Sequence, residues 1–188
     1  MRTRNRACDR PVGPQAEADG RFILFTGEEQ GLIGSRKYAE AHAGESDSIQ
    51  AVIVLDNGTG AVTGQALQGR GDLEALWRAI LAPVGSLGAD SVVNRNKGGT
   101  DHLSFLPYGV PGFNFNQLER GYQHTHHSQS DTYDKAVAAD LSQAAAVMAV
   151  SAYELANLSG MIPRGERSVP PAVQAVKVSD SVHMERGH

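Results

Sequence analysis

Short apolar runs of strand length alternate with helix-like segments along the chain, and this alternation is its most constraining feature. "RFILFT" (21–26), "AVIVLD" (51–56) and "VPGFNFNQ" (110–117) predict buried strands. Apolar residues at helical spacing predict helices in "GLIGSRKYAEAHA" (31–43) and over 135–158. Strands that alternate with helices build α/β folds. We therefore predict a three-layer α/β/α sandwich with a mixed, largely parallel sheet.

The polar ends of the chain set the predicted domain boundaries. Residues 1–20 are charged and contain proline and glycine, so we expect an unstructured N-terminal segment. Residues 21–160 carry the apolar pattern and have the length of one domain. Residues 161–188 are again polar and rich in proline, and we expect a flexible tail.

Composition excludes several classes of function. The formal net charge is −4, so the chain lacks the basic surface of a nucleic-acid-binding protein. The single cysteine, Cys8, rules out an internal disulfide framework. We expect no membrane span, because the most apolar helical segment is too short to cross a bilayer. The first twenty residues lack the apolar core of a signal peptide, and no compartment is predicted.

Carboxylates and imidazoles follow three of the predicted strands. Glu28 and Glu29 come after the first strand, Asp56 ends the second, and a loop with His124, His126 and His127 follows a third. Because α/β sites form at the carboxyl ends of strands, we expect these side chains to meet at one edge of the sheet.

Each of these features also has a simpler explanation. A pair of glutamates before a helix is often a solvated first turn that the helix dipole favours. An aspartate before Asn-Gly is often a turn former, and a histidine run is often an exposed loop. Zinc, however, binds histidine and carboxylate ligands, and a further carboxylate supplies the base for its water. The combination therefore favours a metal site, in which one of two adjacent glutamates binds metal and the other acts as base.

Four blocks of the sequence, in order, carry a resemblance to a known family. They are "FILFTGEEQGLIGSRKYAEAH", "VIVLDNGTG", "GGTDHLSFLPYGVPGFNF" and "HHSQSDTYD". Together they resemble the M28 family of zinc peptidases, which includes aminopeptidases and a carboxypeptidase Q-like branch. The resemblance spans about residues 21–158.

The resemblance implies a role for each matching residue. Glu28 corresponds to the general base, and Glu29 to a ligand of one zinc ion. Asp56 corresponds to a ligand of a second zinc ion. His127 corresponds to the last ligand, since it stands four residues before Asp131 of the final Asp-Thr pair.

Two further residues are implied more loosely by the same resemblance. His126 stands where relatives often carry a residue that steadies the tetrahedral intermediate. Asp101 lies in a block that lines the substrate site in relatives, although an N-cap of a short helix is an equal alternative.

The chain also departs from the family pattern. The His-x-Asp motif and the aspartate that bridges the two zinc ions have no counterpart before Arg21. We therefore expect the N-terminal strands of the sheet to be missing, as in a truncated chain. The complete site of the family would bind two Zn²⁺ ions, and this chain would retain only part of its ligand set. A homo-oligomer or a missing N-terminal segment would then complete it.

The predicted function is that of a zinc-dependent exopeptidase acting on peptide ends. An aminopeptidase is favoured, and a dipeptidase of the carboxypeptidase Q type is the nearest variant. We expect weak or no activity from the chain as given. The alternative is a non-catalytic member of the same fold that acts as a binding module.

Overall fold

A mixed sheet of four strands forms the centre of the molecule. The computed structural model describes residues 18–168 and, by their backbone alone, 8–11. The spatial order of the central strands is β3-β6-β4-β5. Their bounds are β3 (Val52–Val54), β4 (Val62–Ala66), β5 (Ser91–Val93) and β6 (Gly112–Gln117). β3 runs parallel to β6 and β4 parallel to β5, whereas β4 and β6 are antiparallel. A separate antiparallel pair joins β1 (Cys8–Pro11) to β2 (Asp19–Phe22).

Helices cover both faces of the central sheet. Their bounds are α1 (Ile33–Ala41), α2 (Glu74–Leu81), α3 (Tyr122–Thr125) and α4 (Ala138–Ala156). On one face, Trp77 of α2 packs edge-on against Phe113 and Phe115 of β6, at ring centroid distances of 5.0 and 6.0 Å. Val147 of α4 belongs to the same apolar cluster.

The second face carries a smaller apolar cluster. Tyr38 of α1 packs there with Phe105 and Val110. Neighbouring residues of β3 divide between the faces, because Val52 contacts this cluster and Ile53 contacts the larger one. The predicted three-layer α/β/α sandwich with a mixed, mainly parallel sheet is confirmed.

The first predicted strand, 21–26, is only partly formed. Regular strand structure ends at Phe22, and residues 23–25 carry none. Ile23 and Phe25 still contact the smaller cluster, while Leu24 is 86% exposed, so the alternation of a strand persists. The prediction of a buried strand was wrong here, because a strand forms only where another strand pairs with it. Residues 23–26 have no such partner among the described residues, whereas Arg21 and Phe22 pair with β1.

The two predicted chain ends also differ from expectation where they are described. Within the segment expected to be unstructured, Cys8–Pro11 forms β1, and residues 1–7 and 12–17 lie outside the described part. Within the expected tail, residues 161–168 pack on the domain. Ile162 is buried, and the Arg164 guanidinium donates to the carbonyl oxygens of Ile49 and Ser46. Residues 169–188 are outside the description.

Two local features complete the fold. The segment 88–99 contains the short edge strand β5. The short helix expected at Asp101 is a 3-10 helix over Asp101–Ser104. In the described part of the chain, no helix has the length and apolar character needed to cross a membrane.

Candidate metal centre

The two glutamates lie in a tight turn that leads into α1. The backbone N–H groups of Gly31 and Leu32 both donate to the carbonyl oxygen of Glu28, at 2.9 and 2.8 Å. The pair was predicted to follow the first strand, at its carboxyl end. The structure instead places it in this turn, since the strand ends earlier at Phe22. Both side chains line the same cavity.

Asp56 begins the turn that follows β3, and a hydrogen-bond network fixes that turn. The side-chain oxygen of Asn57 accepts hydrogen bonds from Lys97 Nζ and, at 3.2 Å, from Asn114 Nδ2. Gln117 accepts from the Asn57 backbone N–H at 2.9 Å and donates to the carbonyl oxygen of Gly58, also at 2.9 Å. Because β6 supplies Asn114 and Gln117, the central sheet itself positions the turn that carries Asp56.

The histidine loop follows β6 and packs directly on the Asp56 turn. A Cβ atom at Gly60 would lie 1.8 Å from the Leu118 carbonyl oxygen, so only glycine allows this approach. One helical turn, α3, then leads into His126 and His127. His127 has a φ angle of 53°, in the left-handed region that residues other than glycine seldom adopt.

A single cavity of about 310 Å³ brings these segments together. Its wall includes five of the six residues proposed from the sequence, namely Glu28, Glu29, Asp56, His126 and His127. The Nε2 atom of His127 lies 2.6 Å from Glu29 Oε2, and each of these side chains is 61% exposed. The acidic and imidazole side chains therefore meet in one cavity, where Asp56 and the histidines follow β3 and β6 and the glutamates come from the turn before α1. Asp101 is not part of the cavity wall.

Asp101 and His102 lie in the 3-10 helix Asp101–Ser104 and do not line the cavity. Burial raises the pKa of Asp101, and a hydrogen bond with Ser35 opposes that change. His102 is fully buried, and burial lowers its pKa to about 4. The N-cap of this helix is Thr100, not Asp101, and it makes no side-chain capping bond.

Negative charge dominates the electrostatics of the cavity. Partial burial raises the pKa of Glu28, and the carboxylates of Asp56, Glu29 and Asp101 raise it further. His127 acts in the opposite direction. A carboxyl group whose pKa is raised accepts a proton more readily, which is the property required of a general base.

Two residues at the site were not found from the sequence. Lys97 reaches the Asp56 turn from the loop after β5, and its ammonium also donates to the Phe115 carbonyl oxygen at 2.8 Å. Burial lowers its pKa to about 8, while Asp56 opposes that change. Tyr122 lines the cavity beside His126. The one sequence signal for Tyr122 is its position five residues before His127. No pattern in the sequence marks Lys97 as a residue of the site.

The donor chemistry of this cavity fits zinc, which binds imidazole nitrogen and carboxylate oxygen. Glu29 and His127 lie side by side and pair directly with each other, so a small separation of the two side chains would let both bind one ion. However, no three histidine, cysteine or acidic side chains within residues 18–168 are arranged closely enough to hold an ion together. The described residues thus provide two assembled donors, with Asp56 on the same cavity.

Comparison with known proteins identifies the family. The model of peptidase family M28 matches residues 10–152, which is most of the chain. The chain belongs to peptidase family M28. Among curated M28 relatives, rat carboxypeptidase Q is 33% identical over 144 residues, covering 77% of this chain and 30% of that protein. Human carboxypeptidase Q is 31% identical over the same length. This M28 chain therefore spans about a third of the length of its relatives.

Solved structures of peptidases share the fold. An M28 peptidase precursor from Shewanella amazonensis superposes with a TM-score of 0.71 and 28% identity, covering 82% of this chain and 35% of that one. An aminopeptidase from Aneurinibacillus superposes with a TM-score of 0.61 and 25% identity, covering 79% and 36%. A zinc aminopeptidase from Bacillus subtilis, at 22% identity and a TM-score of 0.61, is similar in fold, covering 81% of this chain and 40% of its own.

Proposed function

We propose that this M28 chain carries the catalytic part of a zinc-dependent exopeptidase that releases residues from peptide ends. One observation carries the proposal. Glu28, Glu29, Asp56 and His127, which come from three separate segments, line one cavity, and His127 contacts Glu29 at 2.6 Å. Aminopeptidases among the structural neighbours favour removal of amino-terminal residues, and the carboxypeptidase Q relatives favour a dipeptidase as the variant.

In this proposal, Glu29 and His127 hold one zinc ion, and Asp56 belongs to a second. Bound zinc would polarise a water molecule and lower its pKa. Glu28 accepts the proton of the attacking water and returns it to the leaving amine. The raised pKa of Glu28 suits both steps, because the same group must take and release a proton. His126 faces the same cavity and would contact the developing oxyanion. Asp101, which does not line the cavity, would contribute to the substrate site through its negative charge.

Zinc binding tests the ligand assignment. The purified chain is titrated with Zn²⁺ against a chromophoric chelator, beside His127→Ala, Glu29→Gln and Glu28→Gln. We expect the first two variants to lose zinc affinity, because each removes one of the two donors in contact. Glu28→Gln should retain zinc, as should the matched control Glu119→Gln, whose exposed side chain does not line the cavity. Zinc affinity that does not depend on His127 would refute the assignment.

Hydrolysis tests the reaction. A panel compares amino-acid amides with a free amino group, their N-acetylated counterparts and dipeptides. We expect slow hydrolysis that requires the free amino group and is abolished in Glu28→Gln but not in Glu119→Gln. Turnover that survives Glu28→Gln would contradict the role of Glu28. A chain that binds no zinc and hydrolyses nothing would instead favour a non-catalytic binding module.

A further inference from the structure

Three rings of the cavity wall, Tyr122, His126 and His127, contact one another in a row, which we call the stack. The ring of Tyr122 lies 4.9 Å from the ring of His126, at an interplanar angle of 41°. The ring of His126 stacks on that of His127 at 3.8 Å and 26°. His127 in turn contacts Glu29. The stack therefore leads from Tyr122 to the contact between the two assembled metal donors.

The outer end of the stack rests on the Asp56 turn. A Cβ atom at Gly58 would lie 2.9 Å from Cδ2 of Tyr122, so the ring packs against the glycine backbone. Because Gly58 stands two residues after Asp56, Tyr122 contacts the turn that carries Asp56 as well as the ring of His126. Tyr122 is the large apolar surface on the described cavity wall. The other lining residues are either polar or glycines, namely Glu28, Glu29, Asp56, Asn57, His126, His127, Gly98 and Gly99.

The histidine loop needs such a support. His127 has the left-handed φ of 53°, a conformation that persists only where its surroundings maintain it. Its side chain is 61% exposed, and an exposed contact with the Glu29 carboxylate contributes little by itself. Stacked rings give the imidazole both an orientation and a contact surface.

We infer that Tyr122 is a positioning residue of the metal centre, which acts through the ring of His126 to hold the His127 imidazole against Glu29. The inference rests on the proposed role of His127 as a ligand. The aromatic ring, and not the phenolic hydroxyl, performs this task, since the contacts to His126 and Gly58 are made by ring atoms. Tyr122 itself binds no metal and transfers no proton.

The test compares the full chain with three tyrosine variants. Tyr122→Leu removes the ring, and Tyr122→Phe keeps it. Tyr133→Leu is the matched control, because Tyr133 follows the same histidine loop but is 96% exposed. The ring-proton NMR resonances of His126 and His127 are measured in metal-free protein, and Zn²⁺ affinity is measured with a chromophoric chelator. The fluorescence of Trp77 verifies that each variant is folded.

We expect Tyr122→Leu to shift the resonances of both histidines and to weaken Zn²⁺ binding by about two- to tenfold, the equivalent of one aromatic pair. Tyr122→Phe and Tyr133→Leu should match the parent chain in both measurements. If Tyr122→Leu does not fold, His126→Ala breaks the stack at its middle ring and must shift the His127 resonances.

Unchanged histidine resonances in Tyr122→Leu would overturn the inference, as would equal effects of the leucine and phenylalanine variants. The two measurements also distinguish this inference from the proposed function. If no variant binds zinc, the proposed zinc chemistry fails. The resonances of His126 and His127 in metal-free protein then still decide whether Tyr122 positions them.

Discussion

Acid should destabilise this protein through one buried histidine, His102. Its side chain is fully buried in the 3-10 helix, and neither ring nitrogen has a well-formed hydrogen bond among the described residues. It packs against the first residue of β6, since a Cβ atom at Gly112 would lie 3.2 Å from the Cβ of His102. The site therefore accepts the neutral imidazole and excludes the charged form.

The size and sign of the effect follow from the pKa of His102. Burial lowers that pKa from 6.5 to about 4, whereas the unfolded chain retains the ordinary value. Between these two pH values the unfolded chain binds a proton that the folded chain does not. The contribution of the neutral His102 to the free energy of unfolding is thus complete above pH 6.5 and is lost as the pH falls through 4. Its size is about 3 kcal/mol, which is a large part of the stability of an ordinary domain.

Urea unfolding between pH 4 and 7 measures this loss. Trp77 is the single tryptophan of the chain and is fully buried, so its fluorescence reports unfolding directly. In His102→Leu the titrating group is absent, and the free energy of unfolding should fall less steeply with acid than in the parent. The control His124→Gln changes an exposed histidine and should follow the parent curve. Parallel curves for the parent and His102→Leu would refute the reasoning.

Two further predictions concern Lys97 and the glycines. The pKa of Lys97 is about 8 in the fold and 10.5 in the unfolded chain, so stability should rise with pH between these values, by about 1–2 kcal/mol once its partial exposure is discounted. Urea unfolding of Lys97→Met should lack this rise, and a rise equal to that of the parent would contradict it. Gly60→Ala should cost about 3 kcal/mol of unfolding free energy, because its Cβ meets the Leu118 backbone. Gly44 has open space around it, and Gly44→Ala should leave stability unchanged or raise it by up to about 1 kcal/mol in the same assay. Equal effects of the two glycine substitutions would show that the contact at Gly60 is not limiting.

The fold was predictable where a segment's own pattern decides its structure. β3, β6 and α4 were expected from continuous apolar runs and helical periodicity, and all three are present. The segment 21–26 shows the limit of this reasoning. Its alternation is that of a strand, but strand structure depends on hydrogen bonds to a partner, which no local pattern reveals. β5 escaped prediction because three residues beside a polar loop, of which only Val92 is buried, carry too weak a pattern.

The site was predictable to the extent that strand ends place it. Asp56 and the two adjacent histidines follow β3 and β6, which run parallel, and therefore meet at one edge of the sheet. Glu28 and Glu29 line the same cavity from the turn before α1, which no strand of the central sheet precedes. Lys97 could not be predicted in this way. Its ammonium reaches Asn57 across forty residues of sequence, and that contact exists only after the sheet has formed. Side chains that support a site from a distance are set by tertiary packing.

The docking of residues 161–168 has a consequence for how the chain folds. Gln50 donates to the carbonyl oxygen of Gly160 and accepts from the N–H of Ile162, contacts that join positions more than a hundred residues apart. During synthesis the first half of the domain emerges long before these partners exist. The domain therefore cannot close around the loop after α1 until residue 164 has left the ribosome. Contacts of such long range slow folding, and they make completion of the domain a late event.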